Sequence, residues 1–237
     1  MSSATHLKLP LTFDVLRLQE DLARAATSNW IRHFNTRDYV KEWSCISLRS
    51  VDGRTDHILP LDNANFQDTE ILRQCPYFQH VIAQFACEKT SIRLMSLEAG
   101  GEIKEHRDQG TSFEDGITRL HIPIQTTPQV LFRLDGTEVH FSAGDTWYLN
   151  ANCLHGVRNQ SQQARVHLML DCVSNDWLQQ LFLESGWIAP EAARYPDPNI
   201  NDANVAEVVA ALRRGGQPSA LLMANELEAI AALTLAP

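Results

Sequence analysis

From about residue 91 the chain breaks into short alternating runs separated by turn residues, and no other feature constrains the fold as strongly. Within Ser91–Leu97, Ile92 and Leu94 alternate with Arg93 and Met95, and Ala99-Gly100-Gly101 then makes a turn. Arg119–Ile124 reads as a strand ending at the polar run Gln125-Thr126-Thr127-Pro128. Val130–Leu134 and Thr137–Phe141 flank Asp135-Gly136, a pair that accepts the positive φ of a tight hairpin. Ser142-Ala143-Gly144-Asp145 turns again, and Thr146–Asn150 and Arg165–Val173 complete the set. Strands at this spacing predict a mainly β (α+β) chain built on a barrel or sandwich of the jelly-roll kind.

The flanks read as helical. Thr12 is placed to cap a helix over roughly 13–27, where Val15, Leu16, Leu18, Leu22 and Ala25 recur at near-helical spacing. Trp43–Val51 alternates partly and predicts a strand. Pro76 can start a second helix, with Phe78, Val81, Ile82 and Phe85 on one side. Trp177, Leu178, Leu181 and Phe182 make an apolar stripe, Tyr195-Pro196-Asp197-Pro198-Asn199 reads as a linker, and Val205–Leu235 as two Ala/Leu-rich helices. A chain of 237 residues suits one large domain with an appendage. The division expected is a jelly-roll domain at 1–185 with N-terminal helical support, and a helical extension at 186–237, the latter suited to packing or homo-oligomer contacts.

Composition removes several function classes. Lys and Arg number 20 against 29 Asp and Glu, a net charge of −9 without a basic stripe, which suits neither nucleic acid nor an anionic membrane. No apolar run approaches the roughly 18–20 residues of a membrane helix. The start, Met1-Ser2-Ser3-Ala4-Thr5-His6, lacks a basic segment followed by an apolar one, so no secretory signal is expected. Cys45, Cys75, Cys87, Cys153 and Cys172 are odd in number and scattered, with no CxxC pair, and read as reduced thiols in a cytoplasmic protein.

The chemistry is concentrated in Glu105-His106-Arg107-Asp108 and Leu154-His155-Gly156. On a strand, His106 and Asp108 leave the same face. His155 lies beyond a hairpin and two strands, a separation that can return it to the same mouth of a barrel. Two imidazoles and one carboxylate on one face describe the facial triad of non-haem Fe(II) oxygenases, which leaves open positions for a bidentate co-substrate and dioxygen. In a chain with nine histidines the H-x-D spacing alone is weak, and a hydrogen-bonded surface pair beside a turn is the plainer account of it. Arg165, ten residues after His155, adds weight: a dicarboxylic co-substrate such as 2-oxoglutarate needs a fixed planar cation for its far carboxylate. An outward-facing strand arginine is the alternative. By alternation Arg119 and His121 share a face opposite Leu120 and Ile122, a basic face suited to an anionic guest or simply to water.

Several pieces in fixed order carry a family resemblance: Ala99–Asp108, Arg119-Leu120-His121-Ile122-Pro123-Ile124, Gly144–Asn150, Leu154-His155-Gly156 and Arg165-Val166-His167-Leu168. The stretch from about Ser91 to Asp171 resembles the aspartyl/asparaginyl β-hydroxylase family of Fe(II)/2-oxoglutarate-dependent dioxygenases, in particular its bacterial branch of free-proline hydroxylases. The resemblance implies a double-stranded β-helix fold, iron on His106, Asp108 and His155, and 2-oxoglutarate on Arg165 with help from Arg119 and His121. It implies hydroxylation of an amino acid or amino-acid residue by O2, with succinate and CO2 released. Animal members lack the carboxylate ligand, and Asp108 places this chain nearer the bacterial ones.

Around that centre, Arg93 is nominated to meet a substrate carboxylate. Trp147, Phe132, Leu149 and Met169 are candidates for an apolar shell or plain barrel core. His167 shares the inward face of Arg165, as a supporting donor or a core histidine. Arg107 points away from the ligands, Asn150 and Asn152 shape the turn before His155, and the loop Gln109–Thr118 is placed to act as a lid or a solvated loop. The competing reading is a cupin-like metal-binding or small-molecule-binding protein without 2-oxoglutarate chemistry. Gly100 and His106, then Gly144, His155 and Asn159, resemble cupin motifs, but that reading predicts histidine where Asp108 stands and gives Arg165 no task.

Overall fold

The strands are β1 (His6–Thr12), β2 (Ile31–Arg32), β3 (Tyr39–Val40), β4 (Trp43–Val51), β5 (Phe66–Asp68), β6 (Lys89–Leu97), β7 (Glu102–His106), β8 (Ile117–Gln125), β9 (Val130–Leu134), β10 (Thr137–Val139), β11 (Asp145–Leu149), β12 (His155–Asn159) and β13 (Arg165–Val173). The helices are α1 (Val15–Ala25), α2 (Glu70–Arg73), α3 (Pro76–Ala83), α4 (Asp176–Glu184), α5 (Val205–Gly215) and α6 (Pro218–Ala232). The computed structural model describes residues 4–59, 64–189, 194–197 and 199–233. Met1–Ser3, Pro198, Thr234 and Leu235, on which parts of the N-terminal, linker and last-helix expectations fall, lie outside the described residues. The chain divides into two units, Ser2–Ile188 and Ala189–Pro237.

In the first unit every strand pairing is antiparallel, and two sheets result. One has eight strands in the order β1-β11-β8-β13-β6-β4-β2, with β5 paired to β4. The other has five, in the order β10-β9-β12-β7-β3. This is the mainly β, jelly-roll architecture expected. Period-two alternation divides β4, β6, β11 and β13 of the larger sheet between two cores. Leu168 and Leu170 of β13, Leu120, Ile122 and Ile124 of β8, and Ile92 and Leu94 of β6 pack outward against Leu18 and Leu22 of α1, Phe78 of α3 and Phe182 of α4. Met169, Met95, Leu97 and Cys45 turn the other way and meet Ile103, Val130, Phe132, Leu134 and Val157 of the smaller sheet. Each fully buried Leu, Ile or Phe contributes about 1.5–3 kcal/mol of transfer free energy, which accounts for the helices clamped over one face.

The helix ends differ in detail from the sequence expectation. Asp14, not Thr12, caps α1, its side chain accepting from the Leu16 and Arg17 amides. Thr12 is still strand, paired with Asp145, so the backbone cannot turn into a helix until two residues later. Pro76 does open α3, but Cys75 offers no side-chain cap. Buried Asp21 of α1 does that task, accepting from the Tyr77 and Phe78 amides at 2.7 and 2.8 Å. An anion at a helix N-terminus satisfies donors that have no partner within the helix. At the β9–β10 hairpin Asp135 and Gly136 take φ values of 45° and 85°, as the dipeptide predicts. All five cysteines are unpaired, and among the described residues no helix is long and apolar enough to cross a membrane.

The second unit is a helical hairpin. Gly216 ends α5 at φ 66° and Pro218 opens α6. Tyr195, Val205, Val209, Ala224 and Leu227 form its own core, and Arg213 reaches from α5 to Glu228 of α6.

Candidate metal centre and cavity

His106 and His155 come together through the smaller sheet. They face each other in the β7–β12 ladder, ring centroids 4.3 Å apart. Asp108 lies just past the end of β7, held by its amide donating to the Ala151 carbonyl at 2.9 Å. One ligand atom from each of the three lies within 4.8 Å of the others. Gly156 makes the approach possible. The register slips between His155 and Val157, and a Cβ on Gly156 would stand 2.9 Å from the Ile103 carbonyl oxygen.

The hydrogen bonds orient the donors. His106 Nδ1 donates to the Lys104 carbonyl at 2.8 Å, and His155 Nδ1 donates to the Cys153 carbonyl at 3.0 Å. A carbonyl oxygen only accepts, so each ring carries a proton on Nδ1, and in the neutral ring the Nε2 lone pair is the one left for a ligand. That tautomer is the one a metal-ligating imidazole needs. Burial pushes His155 down to about 4, which keeps it neutral at ordinary pH. Burial alone would raise the Asp108 pKa, but Arg119, His155 and His106 hold it below the usual carboxylate range. Two imidazoles and a carboxylate on one side of a site suit a divalent first-row metal such as Fe(II).

These donors open onto a cavity of about 320 Å³ between the sheets. Its wall on the larger sheet is an inward row of alternate residues: Arg165 and Met169 from β13, Arg119 and His121 from β8, Arg93 and Met95 from β6. Arg165 is 2% exposed, yet its Nε has no partner. Burial lowers its pKa to about 10, with no carboxylate near enough to oppose the shift, so it stays cationic at neutral pH. Its guanidinium lies 5.6 Å from the Phe132 ring centroid. Beside it, His121 and His167 are both buried and neutral. Burial, then the Arg165 charge, drives each well below the usual histidine pKa. Their Nε2 atoms also lack partners. The two rings face each other Nδ1 to Nδ1 at 3.4 Å, so one of the two Nε2 atoms is a donor and the other an acceptor; a buried, unpaired cation is costly alone and matches an anionic carboxylate.

Arg119 and Arg93 differ from the sequence expectation. Neither is free to meet a guest with its whole fork. Arg119 donates to Asp171 and to Asp108, and Arg93 donates to Asp171 at 2.7 Å and to the Ile58 carbonyl at 3.1 Å. Phe132, Leu149 and Met169 line the cavity, and Trp147 packs behind them against the same core. Arg107 is exposed and donates to the Asn152 carbonyl, away from the metal donors. Asn150 accepts from the Asn152 amide and shapes the turn before His155. Asn159 ties down the Leu97, Glu98 and Gln163 carbonyls, a structural task. The loop at Gln109–Thr118 is strapped rather than a free lid. Ser112 binds Asp115, Asp115 binds Asn152, and the Phe113 ring sits 5.0 and 5.3 Å from Phe182 and Trp187. Only its start, Gln109 and Thr111, reaches the cavity.

Two features had escaped the sequence reading. The far wall is His33, Phe34, Asn35 and Trp43, with His33 stacked on Trp43 at 3.5 Å and on Phe34 at 4.4 Å. His33, Phe34 and Asn35 lie in the irregular segment after β2, where no periodicity announces a wall. Asp171 is the other. A single acid in an apolar strand, in the same alternate row as Arg165, His167 and Met169, was a signal that could have been followed.

The Aspartyl/Asparaginyl beta-hydroxylase family profile matches residues 13–175. An L-proline cis-4-hydroxylase of Rhizobium meliloti (strain 1021) is 24% identical over 170 residues, 71% of this chain and 60% of that protein. An L-proline cis-3-hydroxylase 1 of Streptomyces is 24% identical over 172 residues, 70% of this chain and 59% of that protein. The chain thus spans about three fifths of the length of these curated relatives. Among solved structures, a non-haem α-ketoglutarate-dependent epimerase of nogalamycin biosynthesis overlays with a TM-score of 0.48 at 13% identity, covering 72% of this chain and 78% of that one. With the family profile covering well over half of its length, this chain belongs to the aspartyl/asparaginyl β-hydroxylase family.

Proposed function

We propose that this chain is an Fe(II)/2-oxoglutarate-dependent dioxygenase that hydroxylates an amino acid or amino-acid residue of the Pro, Asp or Asn type, releasing succinate and CO2. The observation that carries the reading is the pairing, in one cavity, of three correctly oriented metal donors with a buried arginine that no carboxylate neutralises. Family membership and the proline hydroxylase names of two relatives support it.

When bound, the iron and the keto acid supply the oxidising power for a C–H bond that no side chain could attack. The protein's own residues do the rest. His106, Asp108 and His155 would hold the metal on one side and leave the other open. Arg165 would take the far carboxylate of 2-oxoglutarate, and Phe132 and Met169 would keep water from the space between. His121 Nε2, unpartnered and beside Arg165, would add a neutral contact to the co-substrate. The substrate would enter against the His33–Trp43–Phe34 wall, with the one unpartnered donor of Arg93, its Nε–H, as a polar contact for its carboxylate. In the cupin-like alternative Arg165 would have no counter-ion, and Asn159 is already occupied with the turn after β12.

Cytoplasmic location belongs to the same proposal and draws on the unpaired cysteines. Self-association through α5 and α6 is supported by Leu222 and Met223, which stay exposed on α6. The test is succinate formation from 2-oxoglutarate under air, with Fe(II) and a panel of L-proline, L-aspartate, L-asparagine and peptides containing them. One panel member should raise succinate above the uncoupled background and gain a hydroxyl. No succinate with any member, from protein that binds Fe(II), would refute the reading.

A further inference from the structure

Asp171 is 2% exposed, in the middle of the larger sheet, directly across the ladder from Arg119. Its Oδ1 accepts from Arg119 Nε at 2.7 Å. Its Oδ2 accepts from Arg93 Nη2 at 2.7 Å, from Ser91 Oγ at 3.0 Å and from Arg119 Nη2 at 3.3 Å. Asp171 therefore occupies the Nε–Nη2 edge of Arg119, the edge on which a guanidinium grips a carboxylate with two parallel bonds. Toward Asp108 Arg119 makes a single bond, from Nη1 to Oδ2. The other oxygen, Asp108 Oδ1, lies 3.6 Å from His106 Nε2.

This division of one guanidinium between two carboxylates has a consequence for the metal centre. An arginine free to turn would face Asp108 with both N–H groups of one edge and engage both oxygens. A cation would then compete with it for the ligand. With its strong edge held elsewhere, Arg119 fixes one oxygen of Asp108 and leaves the other to the histidines. We propose that Asp171 is a positioning residue for the metal centre, restraining Arg119 to a single contact with Asp108 Oδ2 so that Oδ1 is presented to a divalent cation. The inference rests on the metal-site reading above and extends it to a residue that touches none of the three donors.

A purely structural account would give Asp171 the task of balancing the buried charges of Arg93 and Arg119. Two variants separate the accounts, read by Co(II) titration of the full-length protein without co-substrate, through the d–d absorption of the bound ion. Asp171→Asn should weaken Co(II) binding about 10- to 100-fold, the range typical when a partner of a metal ligand is lost. It should also shift the d–d bands, because Asp108 is held differently. The double variant Arg93→Met/Asp171→Asn removes one buried cation together with one buried anion. It restores the native charge balance and keeps the test available where the single variant does not fold. It should recover thermal stability yet keep the weakened Co(II) affinity, because Arg119 still turns onto Asp108. Wild-type Co(II) affinity in the double variant, or in a folded single variant, would overturn the positioning role while leaving the metal site standing. Absence of Co(II) binding by the wild type would overturn both.

Discussion

Arg165 lies with its guanidinium 5.6 Å from the ring centroid of Phe132, buried and without a counter-ion. Six residues further along β13, about 20 Å of extended strand, Asp171 is buried among two arginines. One strand thus carries an unsatisfied cation in the cavity wall and, six residues on, a saturated anion. The asymmetry leaves Arg165 as the group waiting for a negative partner.

Arg165→Met should therefore raise stability and remove function together. Replacing a buried unpaired cation with an apolar side chain of similar length relieves desolvation, so the melting temperature without ligand should rise by several degrees. The upward shift that 2-oxoglutarate gives the wild type should vanish. Differential scanning fluorimetry with and without the diacid reads both. A variant that melts lower and still responds to 2-oxoglutarate would show that the arginine is structural.

Loss of His106 or Asp108 should act on affinity rather than on folding, because both are only partly buried, whereas His155 is buried. His106→Ala, Asp108→Ala and His155→Ala should each weaken Co(II) binding by at least about 100-fold, with the far-UV spectrum unchanged in the first two, since a two-ligand site holds such ions poorly. Co(II) titration of Asp108→Ala is the sharpest of the three. Near-native affinity there would reject the carboxylate as a ligand.

Gly156→Ala should damage the centre from behind. Its new Cβ would meet the Ile103 carbonyl at 2.9 Å and the Glu105 amide at 3.1 Å, both backbone atoms of the strand that carries His106. Overpacking of this kind costs about 1–3 kcal/mol. Thermal melting should report that loss, and Co(II) affinity should fall with it. Unchanged affinity would mean that β7 and β12 separate without moving the two histidines.

Stability should fall on mild acidification. Burial holds His121 and His167 well below their unfolded pKa. Between the folded and unfolded values the unfolded chain binds more protons, so stability rises with pH there and is lost as pH drops below about 6.5. Each histidine can contribute at most about 1.4 kcal/mol per pH unit. Asp171, held low by Arg119 and Arg93 against its burial, contributes stability that persists to more acidic pH. Melting temperatures should drop from pH 7 to pH 5, and His167→Gln should flatten that slope. An equal slope in the variant would remove His167 from the account.

The sequence made the long strands legible and the short ones obscure, for physical reasons. β13 and β4 are nine residues each, and their turns and β-branched content mark both ends. β12 is His-Gly-Val-Arg-Asn, five residues with a glycine at its bulge. It is a strand only because β7 and β9 flank it, and those pairings are remote in sequence. The helix start at Asp14 rather than Thr12 has the same origin: β1 keeps Thr12 for its pairing with Asp145. Within the cavity, residue type and spacing singled out His106, Asp108, His155 and Arg165, and the family resemblance joined them in one site; Asp108 lies past the end of β7, beyond the reach of strand alternation. The partition of Arg119 and Arg93 by Asp171 required side-chain positions, because a guanidinium near two acids can be shared in several ways.

On the proposed reading, one cavity takes a divalent metal on His106, Asp108 and His155 and a diacid on Arg165 at the same time. Anaerobic addition of Fe(II) and then 2-oxoglutarate to the full-length protein puts both sites to a single test. A visible metal-to-ligand charge-transfer band should need both additions, be absent in Asp108→Ala, and in Arg165→Met appear only at much higher 2-oxoglutarate. No band in the wild type, or an undiminished band in Asp108→Ala, would contradict it.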